Sequence, residues 1–379
     1  MTVAEGCNKT ETKVAQVSVI MPVYNCLKVI PKAFASLQEQ TVSDLEILII
    51  DDQSTDGTYE LLQSMSEGDP RIKLFRTPRN LGSSLAKNIT LNKVTGEWIT
   101  LLDADDWYEP DRIEILLNAA KKWKADLVID NLQIFDHAIN KVVAHTNYGS
   151  SQETVKLTTE DIFRGDNPLI RDSIGYSRPM ICSEFLRKHN IKYWGKYRNN
   201  EDFIFLTEII ISGAQAFIIP QANYIYRHSI SPSTKRRSPH SHSPNDTARL
   251  IAQACDDLME KYGSVISAKS RRSLQQRKKI FLTSEIAGMQ TSLLAQGRYG
   301  EIATLIFRHP YLLIYRLAGI RNRLHHFFRM RKSYSFDHSF GGETAIARQH
   351  AWLHRDIMLG IKRFATAVRL GFSGQGARH

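Results

Sequence analysis

The first 125 residues alternate short apolar runs with amphipathic stretches, and this alternation constrains the fold more than any other feature. The apolar runs are four to seven residues long and rich in Ile, Val and Leu, as buried strands are. They lie at 17–23, 45–50, 72–75 and 98–102. The stretches between them have helical spacing. Strands and helices in short alternation predict an α/β fold with a mostly parallel, doubly wound sheet.

Acidic residues follow two of these predicted strands. The run at 98–102 leads directly into Asp103, Asp105 and Asp106, and the run at 45–50 leads into Asp51. In open α/β sheets, ligands bind at the edge where the carboxyl ends of the strands meet. Clustered carboxylates there suit a divalent cation such as Mg²⁺ or Mn²⁺. The alternative is that these acids only mark a solvated turn and cap the following helix.

Beyond the helix predicted at 111–124, the pattern becomes less regular. We predict one strand at 126–135, loops with a short helix near 159–164, and a buried segment at 179–182. A short helix follows, and then a longer helix that begins at Asn200. Two more short strands are predicted at 216–220 and 223–227, before a Ser-, Pro- and Arg-rich stretch that reads as a mobile connection.

The positive charge is concentrated in the last third of the chain. Residues 245–379 hold 22 Lys and Arg against 9 Asp and Glu, whereas residues 1–244 hold 28 against 30. Helical spacing recurs at 249–261, 273–294, 311–330 and 351–370. A near-neutral first part and a basic helical tail predict that the tail meets an anionic surface, either a membrane or a nucleic acid.

Cysteine spacing and hydropathy exclude several classes. The four cysteines lack C-x-x-C spacing, so a zinc site or a disulfide framework is not expected. No window approaches the roughly 18 consecutive apolar residues of a membrane span, and the N-terminus lacks the apolar core of a signal peptide. We therefore expect a cytoplasmic protein.

Five sequence blocks in a fixed order carry a resemblance to a known family. They are PVYN at 22–25, IIDDQSTDGT at 49–58, RNLGSSLAKN at 79–88, GEWITLLDADDWYEP at 96–110 and NEDF at 200–203. Together they resemble the family 2 inverting glycosyltransferases of GT-A fold. The resemblance implies transfer of a sugar from a nucleotide-sugar donor, expected to be a UDP-hexose such as UDP-glucose, to a hydroxyl group of a glycan acceptor.

The resemblance also implies a domain organisation. A flexible N-terminus, 1–15, would precede a GT-A domain at 16–230, with a donor half at 16–135 and an acceptor half at 136–230. A flexible linker or lid would occupy 231–247. The basic helical region would occupy 248–379.

Donor recognition is expected at residues from several of the blocks. By resemblance, Tyr24 would stack on a uracil face and Asp51 would accept a hydrogen bond from the base. Arg79 and Lys87 would supply positive charge toward the diphosphate or base, although family members often have Arg where this chain has Lys87. The full donor-binding set implied is Pro22, Tyr24, Asn25, Asp51, Arg79, Asn80, Gly82, Lys87, Asp103 and Arg227.

Metal-binding and catalytic roles fall to the acids. Asp103 would contact the ribose, and Asp105 would hold Mg²⁺ or Mn²⁺ at the diphosphate, with His228 as a second candidate metal ligand. Asp202 matches the family's general base, and Glu201 would orient the acceptor. The alternative for Asp202 is an N-terminal helix cap, because Asp is common at helix starts.

The tail and a missing motif suggest the acceptor and the mode of action. Residues 307–332 and 352–370 place arginines at the borders of apolar helical faces, which suits the cytoplasmic face of a membrane. A polyprenyl-diphosphate-linked oligosaccharide in exopolysaccharide assembly would fit such a location. Alternatively, these helices pack on the catalytic domain or in a homodimer. The Q-x-x-R-W motif of processive synthases does not occur, which predicts addition of a single sugar.

Two other functions were weighed. A sugar nucleotidyltransferase would need a Gly-rich loop after the first strand, where this chain has PVYNCLK. A nucleic-acid-binding protein using the basic tail would need a recognisable module, and none is apparent. We therefore expect no nucleic-acid partner.

Overall fold

A large mixed sheet and a small second sheet form the centre of the chain. The computed structural model describes residues 15–148, 152–165, 174–197, 200–228 and 247–309. The strands of these residues are β1 (Val17–Val23), β2 (Leu45–Asp51), β3 (Ile72–Arg76), β4 (Trp98–Leu101), β5 (Trp107–Tyr108), β6 (Leu127–Ile129), β7 (Leu132–Asp136), β8 (Lys141–His145), β9 (Val155–Lys156), β10 (Met180–Cys182), β11 (Ala216–Ile218) and β12 (Tyr224–Arg227).

Helices connect most of these strands. They are α1 (Ile30–Gln38), α2 (Thr58–Gly68), α3 (Ser83–Leu91), α4 (Arg112–Trp123), α5 (Thr159–Gly165), α6 (Ser183–His189), α7 (Glu201–Ile211), α8 (Thr247–Tyr262), α9 (Ala268–Ala295) and α10 (Tyr299–Arg308). A 3₁₀ turn, Ile174–Tyr176, precedes β10.

The large sheet has the order β3-β2-β1-β4-β10-β6-β11-β9, and the small sheet has the order β5-β12-β7-β8. Strands β3, β2, β1 and β4 are parallel, as the alternating pattern predicted. Strand β10 lies antiparallel between β4 and β6. The described fold is therefore the expected α/β class with a mostly parallel central sheet and a helical C-terminal part.

Alternating side chains of the central strands separate two hydrophobic cores. On one face, Val19 and Ile47 pack with residues of α1, α2 and α4. On the other face, Ile20 and Leu48 pack with residues of α5, α6, α7 and α8. Because successive side chains of a strand point to opposite faces, uniformly apolar strands are buried on both sides, as in β1 and β2.

The single strand predicted at 126–135 is wrong in detail, because the structure divides it between two sheets. Strand β6 belongs to the large sheet and β7 to the small one, with Asp130 and Asn131 between them. Both polar side chains are buried and bonded: Asp130 pairs with Arg112, and Asn131 Nδ2 donates to the Pro220 carbonyl at 3.1 Å. Their polar partners fix the point at which the chain changes sheets.

The described residues of the C-terminal region belong to two compact units. Contacts within the described residues group everything through Arg277, including α8 and the first part of α9, into one compact unit, and 278–309 into another. Predicted helices at 249–261 and 273–294 correspond to α8 and α9. The linker at 231–246, the N-terminus before Ala15, and the basic stretches beyond residue 309 lie outside the described residues.

The described helices were also compared with the length and hydropathy of a membrane span. In the ranges given above, none is both long and apolar enough to cross a bilayer.

The ion pair between Arg112 and Asp130 provides a test of the core. Arg112 is fully buried at the start of α4, and its Nε and Nη2 each lie 2.8 Å from an oxygen of Asp130. Arg112→Met leaves a buried carboxylate without its cation, so we expect the free energy of unfolding to fall by about 3–5 kcal/mol. Urea denaturation followed by circular dichroism measures this change.

The double variant Arg112→Met/Asp130→Leu is the control. Removing both charges leaves no unpaired acid, so the double variant should regain most of the lost stability. A single variant whose stability lies within about 1 kcal/mol of the wild type would contradict a structural role for this pair.

Candidate active site

The polar residues of the first four strands meet at one edge of the large sheet. In the β1–β2 register Val23 pairs with Asp51, and in the β1–β4 register Ile20 pairs with Leu101. Tyr24 therefore follows β1, and Asp103 follows β4, at the edge where β2 ends in Asp51. Strand β1 lies between the two acid-bearing strands, so Asp51 and Asp103 come from strands that flank it.

Asp51 is completely buried at the end of β2. Its carboxylate accepts hydrogen bonds from the Ser54 amide at 3.3 and 3.2 Å and lies 3.1 Å from Nε of Arg76. Arg76 in turn lies over the Tyr59 ring, with its guanidinium carbon 4.0 Å from the ring centroid. If Asp51 contacts the uracil base as predicted, that contact lies beside Arg76, a cation that the sequence did not suggest.

Asn25 and Tyr24 form the loop after β1. Asn25 has a left-handed backbone, φ 51°, and its side-chain oxygen accepts the Thr55 amide at 2.8 Å. Its own amide donates to Ser54 Oγ at 2.9 Å. Tyr24 is partly exposed, as is Pro22 within β1. These bonds hold the first loop against the loop after β2.

Asp52 holds the loop that carries three predicted donor residues. Its carboxylate accepts the amides of Leu81 at 2.8 Å and Gly82 at 2.7 Å, immediately before α3. Asn80 donates to the Asp52 carbonyl at 3.0 Å, and Arg79 is exposed. Gly82 has φ 84°, a conformation that L side chains rarely adopt. The shape of the loop thus depends on Asp52, which is not among the predicted donor residues.

The three acids after β4 have different surroundings. Asp103 accepts hydrogen bonds from Nε and Nη2 of Arg178, the first at 3.1 Å. Asp106 is buried and accepts the Tyr224 hydroxyl and the Arg227 amide, each at 2.7 Å. Burial and the charges of Asp105 and Asp103 raise the pKa of Asp106 well above its usual value. Asp106 therefore anchors the turn to β12.

Asp105 is the acid best suited to a cation. Burial, and then the neighbouring charge of Asp103, raise its pKa to about 6. No side chain of the described residues donates a hydrogen bond to its carboxylate, and Arg227 Nε instead donates to its carbonyl at 3.0 Å. A divalent ion would offset the repulsion that raises this pKa, so the carboxylate fits the predicted metal role chemically.

His228 does not complete a protein-only metal site. Its amide donates to the Phe135 carbonyl at 3.1 Å, and its ring meets the Tyr226 ring edge-on at 6.1 Å. Within the described ranges, no group of three or more His, Cys, Asp or Glu side chains is arranged to hold a metal. A cation at Asp105 would therefore take most of its ligands from water and a bound phosphate.

Asp202, at the start of α7, is held between two cations. Lys87 Nζ lies 2.8 Å from its Oδ1, and Arg178 Nη1 lies 3.3 Å from its Oδ2. Burial acts to raise the pKa of Asp202, but Lys87 and Arg178 outweigh burial and hold this pKa below its usual value. Asp202 is therefore an ionised carboxylate at neutral pH.

Glu201 shares the cation Lys87, but its pKa shifts in the opposite direction. Its Oε1 lies 3.5 Å from Nζ of Lys87. Burial and the charge of Asp202 raise the pKa of Glu201. The two adjacent acids thus have environments that move their pKa values in opposite directions.

Lys87 and Arg178 differ most from the sequence-based expectations. Lys87 was expected to face the donor, yet its side chain is only 1% exposed and is paired with Glu201 and Asp202. Arg178 was not identified at all, because it precedes an antiparallel strand far along the chain and belongs to no spaced motif. Its buried guanidinium joins Asp103 to Asp202.

Comparison with known proteins agrees with this geometry. Residues 18–186 match the family described as glycosyl transferase family 2. An uncharacterized glycosyltransferase of Haemophilus influenzae is 30% identical over 246 residues, which cover 62% of this chain and 71% of the relative. The chain belongs to glycosyl transferase family 2.

Other relatives extend the comparison of this glycosyltransferase. The succinoglycan biosynthesis protein ExoO of Rhizobium meliloti is 29% identical over 218 residues, covering 56% of this chain. The chain spans 61% of that relative's length. A solved fragment of S. aureus TarS is 17% identical with a TM-score of 0.56, covering 81% of this chain and 89% of the fragment, and supports the GT-A-like fold.

The family match includes the edge with Asp51, Asp103 and Asp105, but it ends at residue 186. Asp202 lies beyond it. The family match therefore says nothing about Asp202. Its link to Asp103 through Arg178 is seen in the structure of this glycosyltransferase.

The pKa of Asp202 tests the two-cation environment. Lys87→Met removes a positive charge that favours the ionised form, so we expect the pKa of Asp202 to rise. The carboxyl ¹³C resonances of protein labelled at aspartate, titrated with pH, measure it, and the resonance absent from Asp202→Asn identifies the residue.

Lys73→Met is the matched control for this titration. Lys73 pairs with Glu46, away from α7, so its loss removes an equal charge without changing the surroundings of Asp202. An Asp202 pKa that is the same in Lys87→Met and Lys73→Met would refute the pairing with Lys87.

Proposed function

We propose that this chain catalyses inverting, metal-dependent transfer of a single sugar from a nucleotide-sugar, a UDP-hexose, to a hydroxyl group of a glycan. The observation that carries the proposal is the bridge by Arg178 between Asp103, at the donor edge, and Asp202, at the start of α7. Through this bridge, the ionised carboxylate of Asp202 lies close to Asp103, one of the acids that follow β4. Inverting transfer needs one base on the face away from the leaving group.

The donor would bind along the ends of β2, β1 and β4. Tyr24 and Asp51 suit a uracil base, and Asp103 suits the ribose. Arg79, Asn80 and Gly82 on the loop shaped by Asp52, with Arg227 at the end of β12, suit the diphosphate. The TarS fragment of similar fold was solved with UDP-GlcNAc, which favours a UDP-sugar over other donors.

In the reaction, the acceptor hydroxyl attacks the anomeric carbon while the bond to the diphosphate oxygen breaks. The hydroxyl proton passes to Asp202, and UDP leaves with the bonding electron pair. When bound at Asp105, Mg²⁺ or Mn²⁺ would stabilise the charge that develops on the diphosphate. Because its pKa is low, Asp202 accepts the proton late, after bond formation has made the hydroxyl more acidic.

Polysaccharide assembly is the proposed setting. ExoO, a relative over more than half of this chain, is a succinoglycan biosynthesis protein. The basic tail, with 22 Lys and Arg against 9 Asp and Glu in residues 245–379, would hold the enzyme at an anionic membrane surface beside a lipid-linked acceptor. Without the Q-x-x-R-W motif, we propose that each encounter adds one sugar.

Asp202→Asn tests the proposed base. The amide keeps the size of the side chain but accepts no proton, so we expect turnover of a reactive UDP-sugar to fall by about 10²–10⁴-fold. UDP affinity, measured by calorimetry, should stay within about twofold of the wild type because the donor residues are unchanged.

Asp161→Asn is the control for a capping role. Asp161 is also an acid in the first turn of a helix, α5, where it accepts the Thr158 amide at 3.1 Å. Its loss should leave turnover close to the wild type. Full activity in Asp202→Asn would rule out Asp202 as the base and restore the capping interpretation.

Asp105→Ala tests the proposed metal role. We expect the wild type to require added Mn²⁺ or Mg²⁺ and to lose activity with EDTA. The variant should need a much higher metal concentration for its residual activity, because it lacks the one proposed carboxylate ligand. Asp126→Ala removes an exposed acid outside the site that accepts the Gln215 amide, and its metal dependence should match the wild type. Wild-type metal dependence in Asp105→Ala would refute this assignment.

A further inference from the structure

An exposed tyrosine stands beside the proposed base. Tyr176 closes the 3₁₀ turn before β10, and 55% of its side chain is exposed. Its ring lies 6.1 Å from that of Tyr226, with an interplanar angle of 45°. The two rings form an aromatic pair that is exposed on the Tyr176 side and half-buried on the Tyr226 side.

The backbone of Tyr176 is tied directly to the proposed base. Arg178 Nη1 donates a hydrogen bond to the Tyr176 carbonyl at 3.0 Å, and the same nitrogen lies 3.3 Å from Asp202 Oδ2. A single buried guanidinium nitrogen therefore fixes the distance between the turn and the carboxylate. The backbone that carries the exposed Tyr176 ring is therefore held at a defined position relative to Asp202.

The second ring is tied to the acids after β4. Tyr226 lies in β12 between Tyr224, whose hydroxyl bonds Asp106, and Arg227, whose amide bonds the same carboxylate. Burial, then Asp106 and then Tyr176 raise the pKa of Tyr226, as expected for a hydroxyl close to both groups. The pair thus joins the turn that is hydrogen-bonded to Arg178 to the strand that is hydrogen-bonded to Asp106.

The aromatic pair lies on one side of β4, and the residues proposed to bind the uracil base lie on the other side. The sheet order β2-β1-β4-β10 puts Tyr24 and Asp51 at the ends of β1 and β2, whereas Tyr176 precedes β10. A nucleotide extending from Tyr24 to Asp105 would bring its sugar toward Asp202. An acceptor whose hydroxyl reaches Asp202 would then approach from the β10 side of the donor, where the Tyr176 ring is exposed.

We propose that Tyr176, supported by Tyr226, is a stacking platform for the acceptor sugar whose hydroxyl receives the transferred residue. A pyranose presents C–H groups on one face and hydroxyl groups around its rim. An exposed aromatic ring binds that face, while Asp202 reaches a rim hydroxyl. The inference rests on the proposed function and adds the acceptor subsite and its chemical class, a sugar ring.

The test uses methyl glycosides of common hexoses and N-acetylhexosamines as acceptor probes. We expect Tyr176→Ala to raise the KM of a reactive glycoside about tenfold. Donor KM and the slow hydrolysis of the donor by water should stay within about twofold, because neither uses the platform. Tyr176→Phe keeps the ring and should behave as the wild type.

Trp123→Ala is the matched control. Trp123 is another exposed aromatic, stacked on Phe217 at 5.5 Å on a different part of the molecule. Its loss should not change the acceptor KM. An unchanged acceptor KM in Tyr176→Ala, or a rise in donor KM instead, would overturn the proposal.

Saturation-transfer NMR separates failure of the platform from failure of the proposed function. With UDP and Mg²⁺ present, glycoside protons should receive saturation from the wild type and from Tyr176→Phe, and not from Tyr176→Ala. This measurement needs no turnover, so it holds even if no donor reacts. If no glycoside shows a signal that depends on the Tyr176 ring, the platform is refuted.

Discussion

The geometry of the site depends on the buried guanidinium of Arg178. Its Nε lies 3.1 Å from Asp103, after β4, and its Nη1 lies 3.3 Å from Asp202, at the start of α7. The Arg178 carbonyl in turn accepts a hydrogen bond from Arg112, which is paired with Asp130 beneath the sheet. Both guanidinium groups and Asp130 are buried, and the other two carboxylates are partly exposed, so displacing one charge would leave another unpaired. The distance between the donor acids and Asp202 is therefore set before any substrate binds.

This arrangement requires the chain to return to the middle of its own sheet. Strand β10 lies antiparallel between β4 and β6. The Cys182 amide donates a hydrogen bond to the backbone carbonyl of Asp126, and the Ser183 amide donates one to the backbone carbonyl of Glu97. The residues just before an antiparallel strand lie at the same edge as the carboxyl ends of its parallel neighbours. That reversal is why Arg178 and Tyr176, which precede β10, lie beside the acids that follow β4.

The sequence predicted the parallel half of the fold well because its information is local there. Strands β1, β2 and β4 are mostly apolar, and acids stand at the end of β2 and after β4, so periodicity and parallel topology together predicted the edge where Asp51 and Asp103 meet. Prediction failed where long-range pairing decides the outcome. The break at Asp130 depends on Arg112, and the burial of Lys87 depends on α7, more than a hundred residues later. Arg178 carries no motif, because its partners come from two distant segments.

The lysine at position 87 bears on how Asp202 would act as the proposed base while it is paired with two cations. Lys87 contacts Oδ1 and Arg178 contacts Oδ2, and each contact is made by a single nitrogen. Each carboxylate oxygen offers two lone-pair directions, and the side chain of Tyr193 is a third hydrogen-bond partner of Asp202, so one of the four directions remains for another donor. An arginine at position 87 would present a planar fork able to occupy both oxygens at once. The single positive charge of Lys87 favours the ionised form of Asp202 without occupying both of its oxygens. The side chain of Asp202 is 19% exposed, which is the access that an acceptor hydroxyl would need.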